Sequence, residues 1–173
     1  MGEDYHRLLR YHPFMKPPLL AALALAALLA PALAQEKPPP VTIEAVKVEP
    51  AAPGPDTLCR LSVSLRNAGD RTASAFEIGV KLNGQEIPSS KRRLYLQPVE
   101  PGKTVEIRLP NFWSTEAGRP APKDGRLNVE VVLAGASWVE REMKDGAEVW
   151  KTLGSVPGLP TAKTVTLTLA KGR

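Results

Sequence analysis

The chain has two histidines, His6 and His12, and none after them. An N-terminal leader that contains both (below) would leave a mature chain without histidine. That excludes Ser-His-Asp and Cys-His catalysis, and zinc sites with histidine ligands. There is one cysteine, Cys59, so no internal disulfide forms. Aromatic residues make up 5% of the chain, with no run of them on which successive nucleic-acid bases could stack. No segment of the mature chain shows a convincing helical period, which leaves nothing to place in a groove of DNA. Nucleic acid is therefore not an expected partner. The spacing of the acidic residues matches no metal loop, and no cofactor motif is legible.

What is present begins with an export signal. Arg7, Arg10 and Lys16 precede the apolar run 19–30, LLAALALAALLA, and Ala32-Leu33-Ala34 supplies a small-x-small cleavage site before Gln35. The run is shorter than the roughly 20 residues a spanning helix needs, so residues 1–34 read as a cleavable signal peptide rather than a membrane anchor. The segment from Met15 is a complete signal by itself, and translation from there would make residues 1–14 an extension. The mature chain is expected to be exported, in the periplasm or at the cell surface, with no transmembrane segment. Residues 1–34 hold three of the cations and two of the acids, so the formal charge of +5 becomes +4 in the mature chain, a mildly basic balance. It permits weak attraction to anionic polymers and compels none.

After a Pro-rich leader, 35–40, the pattern has a period of two residues. Cys59, Leu61, Val63 and Leu65 share one face, with Arg60, Ser62, Ser64 and Arg66 on the other. Phe76, Ile78, Val80 and Leu82 repeat the pattern, closed by Asn83-Gly84, a strong type I′ hairpin signal. In 41–48 the apolar parity slips between Ala45 and Val46, which predicts a bulge or a strand that changes sheets. Further strands are expected at 89–96 with Leu94 and Leu96 inward, at 104–109 stopped by Pro110, at 126–133 stopped by Gly135, and at 162–170. Residues 111–125 read as a long loop. Residues 137–152 read as a hairpin about Asp145-Gly146 or as a helical turn, the Asp-Gly favouring the hairpin. Short strands with turn signals about every ten residues predict an all-β, immunoglobulin-like antiparallel β-sandwich of about seven strands over 41–170, with a short tail at 171–173.

Three segments, LSVSLRNAGDRTASAFEIGVKLNG, LQPVEPGKTVEIRL and GRLNVEVVLAG, together resemble the bacterial immunoglobulin-like modules of the CARDB (cell-adhesion-related) family. The likeness spans residues 61–135. It implies a non-catalytic module of the cell surface or periplasm. The segment SWVEREMKDGAEVWK stands where such modules often carry an acidic, asparagine-rich close.

Candidate binding residues fall into two groups. Lys91-Arg92-Arg93 is the densest basic run and could meet an acidic polysaccharide, although Arg92 shares the parity of Leu94 and fits an edge-guarding charge. Phe112, Trp113, Trp138 and Trp150 flank the penultimate strand and could stack on sugars or anchor a protein. Alternatively they plug the end of the sandwich, and Trp113 continues the inward parity of Val105, Ile107 and Leu109. Glu140, Glu142 and Asp145 offer too few oxygens for calcium, and as a glycosidase pair they would need a cleft. Cys59 fits a buried hydrophobe better than a reactive thiol. The expected function is an adhesion or scaffolding module that binds an envelope protein or polysaccharide, with no catalytic residue. A carbohydrate-binding accessory module and a strand-donating assembly factor are the alternatives.

Overall fold

A computed structural model describes residues 38–87, 93–115 and 124–170. The expected signal peptide over 1–34, residues 35–37 of the expected leader, Lys91 and Arg92, most of the 111–125 loop and the tail lie outside the described residues. Among those described, every regular element is a strand: β1 Val41–Glu49, β2 Leu58–Asn67, β3 Thr72–Leu82, β4 Gln85–Glu86, β5 Arg93–Tyr95, β6 Thr104–Trp113, β7 Arg126–Lys144, β8 Ala147–Ser155 and β9 Thr161–Thr168. One sheet has the order β1-β2-β6. The other runs β4-β3-β7-β8, with β5 also on β3 and β9 also on β7. Every pairing is antiparallel.

The two-residue period produces this arrangement directly. Cys59, Leu61, Val63 and Leu65 of β2 are buried with Phe76, Ile78, Val80 and Leu82 of β3 and Leu127, Val129, Val131 and Leu133 of β7, in one core between the sheets. Each fully buried aliphatic side chain stabilises by about 1.5–3 kcal/mol relative to exposure. The intervening polar residues form mixed-charge outer faces, as in the Arg66–Glu44 and Lys81–Glu130 ion pairs, both 3.7 Å. Both Asx-Gly turns have the positive φ pair of a type I′ hairpin: Asn83 and Gly84 at 48° and 80°, Asp145 and Gly146 at 54° and 80°. Residues 137–152 are therefore a hairpin.

The parity slip in β1 is a bulge. Ile43 pairs with Leu65 and Ala45 with Ser64, which leaves Glu44 unpaired and lets Val41 and Val48 both reach the core. Other bulges overturn expectations. Pro110 does not stop β6. Leu61 pairs with Leu109 and Cys59 with Phe112, so the stretch 110–111 holds an extra residue, and the strand continues to Trp113. A sheet-edge strand with a bulge is where a proline is tolerated. The extra residue flips the parity: Phe112 is buried and Trp113 is 50% exposed, the reverse of the expected order. Gly135 does not end β7, because a bulge between the Glu77–Gly135 and Ile78–Leu133 pairs absorbs the irregularity. Leu94 and Leu96 point outward, and Tyr95, opposite Phe76, packs on the core instead.

Candidate functional site

Strand β7 has two halves. Its first half lies between β3 and β9; its second pairs with β8. Its pairing with β3 ends where Thr72 meets Val139. From Glu140 to Lys144, and back from Ala147 to Lys151, β7 and β8 therefore pair only with each other among the described residues, as a projecting two-stranded ribbon. Every residue from Glu140 to Ser155 is exposed. Arg141 lies opposite Trp150, Glu142 opposite Val149 and Met143 opposite Glu148. Two cross-strand ion pairs hold the ribbon: Arg141 with Glu148, and Lys151 Nζ with Glu142 Oε1 at 2.9 Å. The hydrogen bond to Glu142, reinforced by its charge, raises the Lys151 pKa above the ordinary lysine value. Exposed pairs of this kind add little stability.

The ribbon concentrates exposed apolar surface. Met143, Val149, Trp150 and Leu153 are all large and exposed. Beside it lies a groove of about 910 Å³, lined by Val139, Arg141, Trp150 and Leu153, by Val99, Glu100, Lys103 and Val105, and by Arg71 and Thr72 at the start of β3. Among the described residues the Arg71 and Lys103 side chains have no ion-pair partner. The groove thus combines an apolar wall with the cations Arg71 and Lys103.

The four aromatic candidates are not brought together. Phe112 is core. Trp113 pairs with Leu58 at the opposite end of β6 from the groove-lining Thr104, about 30 Å away at the rise of an extended strand. Trp138 precedes Val139 and so lies on the other face of β7 from Val139, Arg141 and Trp150. It packs against the core, beside Gly69. Trp150 alone lines the groove. Pro38–Pro40, Gly69, Trp138 and Pro157 form a second cavity of about 600 Å³, and Ala68 N donates to Pro40 O at 2.7 Å. Pro38–Pro40 are thus fastened to the domain. Arg93 is exposed on β5.

Other candidates resolve simply. Cys59 is buried, and burial pushes its thiol pKa up, away from nucleophilic use. Glu142 is engaged by Lys151. Among the described residues no group of three His, Cys, Asp or Glu side chains is placed to hold a metal. Reading the sequence missed Arg71, Lys103, Met143, Val149 and Leu153. Only the length of the ribbon and the pairing of Thr72 with Val139 bring Arg71, Lys103 and Leu153 to one groove. No family model, curated protein or solved structure matches this chain.

Proposed function

We propose that this protein is an exported, non-catalytic binding module of the bacterial envelope, an immunoglobulin-like sandwich of the CARDB kind, that holds a partner protein at the β7–β8 ribbon. The observation that carries this reading is the ribbon's apolar surface, Met143, Trp150 and Leu153, beside a groove with an apolar wall. Contiguous exposed apolar patches with a polar rim mark interaction sites, and tryptophan is enriched among their anchors. A polysaccharide platform built from Trp138 and Trp150 would need both rings on one surface, and they occupy opposite faces. That weighs toward a protein partner.

The test is capture of envelope proteins by the tagged protein, compared with Trp150→Ala, with Lys103→Glu on the groove, and with Trp113→Ala at the far end of β6. Loss of the same captured band in the first two variants and its retention in the third supports the reading. Equal capture by all of them contradicts it.

A further inference from the structure

Strand β8 is a sheet edge, and among the described residues it lacks the usual protection of one. The other edges are blunted. Strands β4 and β5 are two and three residues long. Strand β6 carries Pro110 and a bulge. Strand β1 is broken at Glu44, whose carbonyl accepts a hydrogen bond from Lys163 of β9, which ties those two edges together. Short strands, prolines, bulges and free charges are the devices that keep edges from pairing with other chains. Strand β8 has nine residues and no proline, and its one bulge lies near its end, at Leu153. Its two charges are drawn back across the ribbon: Glu148 to Arg141, and Lys151 to Glu142. The free edge is left electrically quiet, with Val149 and Trp150 beside it. A two-stranded ribbon in water is also marginal by itself, and further strands stabilise it.

We infer that β8 pairs antiparallel with β8 of a second copy of this chain, making one continuous sheet through β7-β8-β8-β7. A two-fold axis normal to the sheet keeps the faces of the copies aligned, so residues of like parity come opposite. Centring on Lys151 opposes two lysines. Centring on Val149 overlaps only Ala147–Lys151. Centring on Trp150 overlaps Ala147–Leu153, up to the bulge, and sets Val149 opposite Lys151 and Glu148 opposite Thr152, with no like charges facing. That register pairs the two Trp150 rings and brings the two grooves side by side. The contact is small, below the roughly 1,200 Å² of a standard interface, so the dimer is reversible and concentration-dependent. This inference goes beyond the proposed function and does not depend on it, since it concerns the edge of the ribbon and needs no envelope partner.

Sedimentation velocity of the purified protein over about a hundredfold concentration range tests it. The wild type is expected to move from one chain toward two. Trp150→Glu, which places two carboxylates face to face, is expected to raise the dimer dissociation constant at least about tenfold. Oxidation of Trp150→Cys is expected to give a reducible disulfide-linked dimer, whereas Ser155→Cys, outside the overlap, stays unlinked; Cys59 is buried and takes no part. A wild type that is monomeric throughout overturns the inference. So does a dimer indifferent to Trp150→Glu, or equal cross-linking from both cysteine positions.

Discussion

Trp138 and Gly69 lie so close that a methyl group on residue 69 would sit 2.7 Å from Trp138 Cη2. The same methyl would be 3.2 Å from Asn67 Oδ1 and 3.3 Å from Pro40 Cβ. Residue 69 is therefore where the β2–β3 loop, the start of the domain and the second half of β7 meet. That second half continues as the ribbon, so packing at Gly69 helps set where the groove is built.

Gly69→Ala is expected to destabilise the fold by about 1–3 kcal/mol, the usual cost of overpacking a tight contact. At Gly135 an added methyl would meet only the flexible Glu77 side chain, at 3.4 Å. Gly135→Ala is expected to be neutral or stabilising by up to about 1 kcal/mol, as in an ordinary strand. Urea denaturation of the two variants measures the contrast.

Asn67 is fully buried, and its carboxamide is fully used. Nδ2 donates to Arg71 O at 2.7 Å and Val99 O at 2.8 Å, and Oδ1 accepts from Gly69 N at 3.0 Å. Asn67→Ala removes three hydrogen bonds, one buried and two part-buried, and leaves Val99 O with only its bond from Ala73 N; it is expected to cost about 3 kcal/mol. A loss under about 1 kcal/mol in the same urea experiment would show that water replaces the amide.

The Cys59 thiol gives a pH dependence. Burial raises its pKa in the folded chain, so on raising the pH through the ordinary thiol range the unfolded chain loses a proton that the folded chain keeps. Stability must then fall as pH rises from neutral into the alkaline range. Tyr95, also shifted up by burial, adds the same sign at higher pH. Cys59→Val is expected to flatten the first part of this decline, measured as the urea midpoint against pH. The native thiol is expected to resist a thiol reagent that titrates it fully in denaturant.

The ribbon should be thermodynamically detached from the core, because every one of its residues is exposed. Gly146 sits at a φ of 80°. Gly146→Ala strains the turn by about 1–2 kcal/mol. Faster amide exchange is expected across residues 140–151, with an unchanged global urea midpoint. A fall in the global midpoint would tie the ribbon to the core.

The alternation in β2, β3, β7 and β9 was legible in the sequence because a half-buried sheet imposes it, and the Asx-Gly turns were legible because positive φ restricts their residues. Where parity was carried across an irregularity, the reading failed. The bulge at 110–111 exchanged the fates of Phe112 and Trp113, and Leu94 and Leu96 turned out while Tyr95 turned in. Proline and glycine were read as stops at Pro110 and Gly135, yet bulges carry both strands onward. The groove was least legible. Val105 and Leu153 come together only through which strands pair and how far β7 outruns β3, a long-range fact that local pattern does not encode.

The most direct test of the ribbon as the partner-binding surface is site-specific photocross-linking in the producing cells, with the probe at Leu153 and, for comparison, at Trp113. A discrete protein adduct from position 153 that is absent from position 113 is the expected result. No adduct from 153, or the same adduct from both, would contradict the assignment.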